Sequence, residues 1–82
     1  MAQKWNYKYG NNDIVVTNFF DGCELSINGK THDKKKGLTL SDELTGKLPA
    51  GEEVKVFLNA GVLKVKCMLL INNMLQEPIS EN

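Results

Sequence analysis

The chain has 82 residues, a formal net charge of zero from ten basic and ten acidic side chains, and 41% hydrophobic residues. That is enough for one small domain with a thin core, so most apolar strand positions have to be structural. All the basic residues are lysine. Without arginine or net positive charge, the composition argues against a dedicated nucleic-acid binder.

Lysine-only basicity with abundant asparagine suggests a bacterial genome biased toward A·T codons. Met1 to Asn6 is polar and lacks the apolar run of a signal peptide. The longest apolar stretch, Cys67 to Ile71, is too short to cross a bilayer. A cytoplasmic location with no membrane partner is therefore expected. Cys23 and Cys67 fall on inner faces of their strands, as two reduced thiols or, after export, as one cross-sheet disulfide. No CxxC or other ligand spacing calls for a metal or a cofactor.

Along the chain, Lys4 to Tyr9 alternates as a strand that Gly10-Asn11-Asn12 ends. Trp5, Tyr7 and Tyr9 project from one of its faces, interleaved with Asn6 and Lys8. Exposed, such a stripe would stack on sugar rings or unpaired bases; turned inward, it would cover a small core. Ile14 to Phe20 is the next strand, and Asp21-Gly22 is a strong hairpin signal before Cys23 to Asn28. A turn there sets Phe20 opposite Cys23 and Asn18 opposite Leu25, which makes Asn18 a polar misfit on the inner face.

Asn28-Gly29 is a second turn. A strict hairpin after it would set Glu24 beside Asp33, so Lys30 to Asp33 reads as a short edge strand or a bulged extension. Lys34-Lys35-Lys36-Gly37 reads as a solvated loop. Between Leu38 and Leu48, Ser41-Asp42-Glu43 has the look of a helix start, which predicts one short helical turn near 41–46 with Leu40, Leu44 and Leu48 plugging an end of the core. Pro49-Ala50-Gly51-Glu52 is a turn.

The most informative segment is the hairpin from Glu53 to Asn72. Folded about Ala60-Gly61, it pairs Leu58 with Leu63, Val56 with Val65 and Val54 with Cys67, all on one face. Asn72-Asn73 turns into a short strand at Met74-Leu75-Gln76, and residues 78–82 read as a frayed tail. No internal repeat, low-complexity stretch or linker is evident.

Three further residue sets have functional readings. In this register Lys55 opposes Lys66 and Lys64 opposes Phe57 on the outer face, as an anion-binding patch or as an ordinary solvated face. Met68, Leu70, Met74 and Leu75 would cover the second half of their strand or meet another copy of the chain. His32, the only histidine, has Asp33 beside it and no motif that supplies a nucleophile, so no catalytic residue is assigned.

Lys4-Trp5-Asn6 with Tyr9-Gly10 resembles the first strand of cold-shock domains, where aromatic and lysine residues bind single strands. The resemblance covers only these positions, the later aromatic motifs do not follow, and no function is carried over from it.

The expected fold is all-β, a single domain over 1–82: a small antiparallel β-sandwich or partly open barrel of six or seven short strands. Its core would hold Ile14, Val16, Leu25, Ile27, Val54, Val56, Leu58, Leu63, Val65, Cys67, Leu69 and Ile71. The expected function is non-enzymatic, a binding or protein-interaction module of unknown ligand with Trp5, Tyr7, Tyr9, Lys55, Lys64 and Lys66 as candidate contacts. A single-stranded nucleic-acid-binding barrel is the alternative, and an enzyme using His32 the third reading.

Overall fold

The computed structural model describes residues 3–37 and 40–82; what the sequence suggests for positions 1, 2, 38 and 39 lies outside them. Period-two alternation of apolar and polar residues resolves there into nine strands and no helix: β1 (Gln3–Tyr9), β2 (Asn12–Phe19), β3 (Gly22–Ile27), β4 (Lys30–Lys36), β5 (Ser41–Lys47), β6 (Glu53–Ala60), β7 (Val65–Ile71), β8 (Met74–Gln76) and β9 (Ser80–Glu81). They form two antiparallel sheets, β4-β3-β2-β1-β9 and β5-β6-β7-β8, which face each other as a sandwich and do not close into a barrel.

The core is the shared inner face. Ile14, Val16, Leu25, Ile27, Val54, Val56, Leu69 and Ile71 are all buried, joined by Trp5, Tyr7, Cys23, Leu44, Leu48 and Leu58. Each such aliphatic side chain removed from water contributes about 1.5–3 kcal/mol, which is how so short a chain offsets its ordering entropy. Leu63 is the exception among the expected core residues: it stands 96% exposed at a hairpin tip. Val65 and Cys67 are only partly buried.

Both hairpin registers differ from the sequence-based ones by an even number of residues, so every face is preserved. In β6–β7, Val54 faces Ile71, Val56 faces Leu69 and Leu58 faces Cys67. This longer ladder pairs Leu69 and Ile71 with buried partners, where a turn at Ala60-Gly61 would leave them without any. In β2–β3, Asn18 faces Cys23 and Val16 faces Leu25, so the tip is Phe20-Asp21. Gly22 is a strand residue because β4 passes close by: a Cβ there would collide with the Lys35 carbonyl oxygen.

Four other expectations are corrected. The segment 41–46 is strand, not a helical turn; it pairs with β6 along its whole length, and that ladder outweighs the weak capping signal of Ser41. Lys34-Lys35-Lys36 is not loop but part of β4, because a bulge at His32 moves Asp33 opposite Leu25 and brings Lys34 opposite Glu24. The tail does not fray, since Ser80 and Glu81 pair with Asn6 and Trp5. Of the leucines expected to plug the core, Leu44 and Leu48 are buried while Leu40 is 81% exposed.

The two sheets are also versions of each other, against the expectation of no repeat. Cys23-x-Leu25-x-Ile27-Asn28 recurs as Cys67-x-Leu69-x-Ile71-Asn72. The row Trp5–Val16–Leu25 in β1–β2–β3 corresponds to Leu44–Val56–Leu69 in β5–β6–β7, and Tyr7–Ile14–Ile27 to Gly46–Val54–Ile71. Gly46 replaces an aromatic because the sheets converge at that corner: a Cβ there would stand 3.2 Å from both His32 Cβ and Leu25 Cδ2. At the same seam the Asp33 carboxylate accepts the Thr45 backbone N–H at 2.9 Å, tying β4 to the edge of β5.

Candidate functional site: the apolar end of the sandwich

Because consecutive strands run antiparallel, their turns alternate between two ends, and the two ends differ in chemistry. One carries Gly10-Asn11, Asn28-Gly29, Pro49-Ala50-Gly51 and Asn72-Asn73, residues suited to tight turns. Positive φ is used freely there: 60° at Gly10, 51° at Asn28, 81° at Gly29, 49° at Asn72 and 66° at Asn73. This is the polar end, and its turn chemistry agrees with its geometry.

The opposite end breaks that rule. The β2–β3 tip is Phe20-Asp21. The β6–β7 ladder runs on past Ala60–Val65 to a 2.9 Å bond from the Gly61 N–H to the Lys64 carbonyl, leaving Val62 and Leu63 as the tip. Phe20 is 78% exposed, Leu40 81%, Val62 102% and Leu63 96%. Phe19 is also exposed, so among the described residues five of the nine exposed large hydrophobic ones stand at this end. A turn wants polar residues or glycine; two neighbouring tips that both carry large apolar side chains call for a reason beyond folding.

Between these tips the sheets part around a cleft of about 320 Å³, lined by Phe19, Phe20, Leu40, Leu58, Ala60 and Val65, with Asn18 and Asp42 among its polar walls. Asn18 is half-buried at this mouth rather than deep in the core, which resolves the misfit the sequence posed. The rim is basic: Lys35, Lys36, Lys64 and Lys66 are all exposed around it, against Asp21 in the turn and half-buried Asp42 one row further in. Lys66 lays its stem along the tip, its Cε 3.8 Å from where a Gly61 Cβ would stand.

The residues singled out in the sequence are dispersed. Trp5 and Tyr7 are 3% and 2% exposed, and Tyr9 packs against the core. The stripe is thus the inward-turned version, and two of its rings offer nothing for a base or a sugar to stack on. Tyr7 instead reaches across the sandwich, its hydroxyl 3.4 Å from Cys67 Sγ. Lys55 does not oppose Lys66: it faces Leu70 and Thr45, while Lys66 faces Asn59. Four residues of strand, roughly 13 Å, part Lys66 from Leu70. Only Lys64 and Lys66 of that set share a place, on the apolar rim.

Met68, Leu70 and Leu75 share the outer face of the four-stranded sheet, where Leu70 pairs with Leu75 and Met68 with Phe57. Met74 belongs to the opposite face, paired with Ile71. His32 is exposed on its bulge. Neither thiol is primed as a nucleophile. Burial, helped by the nearby Asp42 carboxylate, pushes Cys23 up to about 11. Burial pushes Cys67 up to about 11 as well, and it raises the Tyr7 phenol, which the bond to Cys67 raises further. Both cysteines are free.

Phe20 and Leu63 read as strand ends in the sequence, which hides the apolar tips. The usable signal was the surplus of apolar residues between Val62 and Leu63 on one side and Phe19-Phe20 on the other, beyond what each strand can pair. No protein-family model, curated protein or solved structure matches this chain.

Proposed function

We propose that this protein is a non-enzymatic binding module that meets its partner through the apolar end of the sandwich. The observation that carries this reading is the pair of hairpin tips, Phe20-Asp21 and Val62-Leu63, which hold large apolar side chains in water around an open cleft. Side chains that only served the fold would be buried, and residues that only served the turns would be polar. The free thiols support a reducing, cytoplasmic setting.

Amide shift mapping tests the reading. The protein would be titrated separately with a sub-micellar single-chain amphiphile, a soluble glycan and a single-stranded oligonucleotide. Shifts gathered at Phe19–Gly22 and Ala60–Val65 support it. Shifts gathered on the lysine-bearing outer face of β6, or around His32, overturn it.

A further inference from the structure

Resting on that reading, we propose that the partner is an anionic lipid surface: Phe20, Val62 and Leu63 enter the headgroup region while Lys35, Lys36, Lys64 and Lys66 meet the phosphates. Three observations favour this occupant.

The first is reach. Val62 and Leu63 stand 102% and 96% exposed, beyond the lips of the cleft rather than within it. A molecule small enough for the cleft would leave them in water. An extended surface covers the tips of separate loops at once.

The second is the company the apolar residues keep. The centres of protein–protein interfaces are depleted in lysine. At this end four exposed lysines ring the apolar tips. Apolar side chains at the tip with ammonium groups just behind them match the order of a bilayer surface, acyl boundary first and phosphate next. Lys66, its stem drawn along Gly61, follows the same order within one side chain.

The third is that the other exposed apolar set, Met68 and Leu75 on the outer face of the four-stranded sheet, lies along a sheet face and not on projecting tips. The polar end mixes Lys8, Asp13, Lys30, Lys47, Glu52 and Glu53, and Lys8 there is paired with Asp13 at 2.9 Å. The outer face of the five-stranded sheet is largely polar, along Lys4, Asn6, Glu24 and Ser26, with half-buried Val15 and buried Thr17 among them. The expectation of no membrane partner came from the lack of a spanning segment, and no helix among the described residues is long and apolar enough to cross a membrane. A surface contact made by loop tips needs no span. It does need two signals acting together, apolar insertion and basic charge, and both are present here.

The test is co-flotation with vesicles of phosphatidylcholine alone and of equal parts phosphatidylcholine and phosphatidylglycerol. The protein should float with the anionic vesicles, much less with the neutral ones, and less as salt is added. K64Q/K66Q should weaken that binding about thirtyfold. V62S/L63S should weaken it about tenfold or more, with an unchanged far-UV circular dichroism spectrum because both residues are already in water. K30Q/K47Q, at the polar end, should bind as the parent does. No flotation with either vesicle at low salt overturns the lipid assignment; if the amide map still marks the tips with another ligand, the binding end stands and its partner is a protein or small amphiphile. Flotation that V62S/L63S leaves intact and K30Q/K47Q weakens as much as K64Q/K66Q overturns the lipid assignment and the binding end together.

Discussion

Asn28 and Asn72 hold the same post in the two sheets. Each opens a tight turn in the left-handed region, at φ 51° and 49°. Each accepts, through Oδ1, the backbone N–H at the start of an earlier strand, from Asp13 at 2.9 Å and from Glu53 at 3.0 Å. Each also donates its own N–H to the carbonyl of that same residue, at 2.7 and 2.9 Å. An asparagine suits this post because its short amide tolerates positive φ and can bridge back to the backbone.

It follows that Asn28→Ala and Asn72→Ala should each destabilise the fold by about 1–2 kcal/mol, through a lost hydrogen bond and a Cβ held at positive φ. Asn28→Gly and Asn72→Gly keep the backbone conformation and should cost less. Urea midpoints for the four variants measure this directly. Alanine variants as stable as the parent would remove the account.

The tips at the other end should behave in the opposite sense. Val62 and Leu63 make poor turn residues and bury almost nothing. Replacing Val62-Leu63 by Asn-Gly should therefore leave the fold intact and raise its stability by about 0.5–1 kcal/mol, a few degrees in thermal midpoint. The same variant should lose binding at the apolar end. A clear drop in thermal midpoint would instead mean that these side chains help hold the sandwich together.

How much of this was legible follows from what alternation encodes. Period two assigns each residue to a face, and a register that slips by two or four residues keeps that assignment. So Val54, Val56, Leu69 and Ile71 were correctly placed inward while their partners were not. Partner choice depends on where the turn sits, and here the turn signals Asp21-Gly22 and Ala60-Gly61 pointed away from the tips in use. The same bias hides the candidate site, because Phe20 and Leu63 read as strand and Leu40 as a plug of the core. The clash of Glu24 against Asp33 left a short edge strand or a bulged extension open, and the structure takes the bulge, which supplies Lys34 opposite Glu24. Ser41-Asp42-Glu43 misled because capping preference is local, whereas Leu44 and Gly46 alternate in step with β6. The repeat Cys-x-Leu-x-Ile-Asn was in plain view, but it gains meaning only when both copies are seen making the same turn.

Trp5 provides an independent check on the aromatic stripe. At 3% exposure, in the row of Val16 and Leu25, its indole is shielded by both sheets. Native emission should be blue-shifted and resist acrylamide, moving red only on unfolding. Since it is the only tryptophan, the signal has a single origin. Red, freely quenched emission in the native protein would put the stripe back on the surface and return Trp5 and Tyr7 to the list of contacts.

The two thiols set how stability responds to alkali. Cys23 and Cys67 are each pushed from an ordinary value of 9.0 up to about 11, mainly by burial. A raised value means that the folded chain holds these protons after the unfolded chain has begun to release them. Over that interval the unfolded state binds fewer protons, so the free energy of unfolding falls as pH rises. The contribution is fully present below about pH 9 and is lost progressively toward pH 11. Tyr7 acts in the same sense, since burial and its bond to Cys67 both raise its phenol. Urea midpoints should therefore be flat around neutrality and decline on the alkaline side. In C23A/C67A the thiol part of that decline should vanish, whatever the variant loses in overall stability through its smaller side chains. Thiol titration with a disulfide reagent should agree: little reaction in the native protein near neutral pH, and two reactive groups once it is unfolded. An alkaline decline of the same size in parent and double variant would assign the effect to Tyr7 instead.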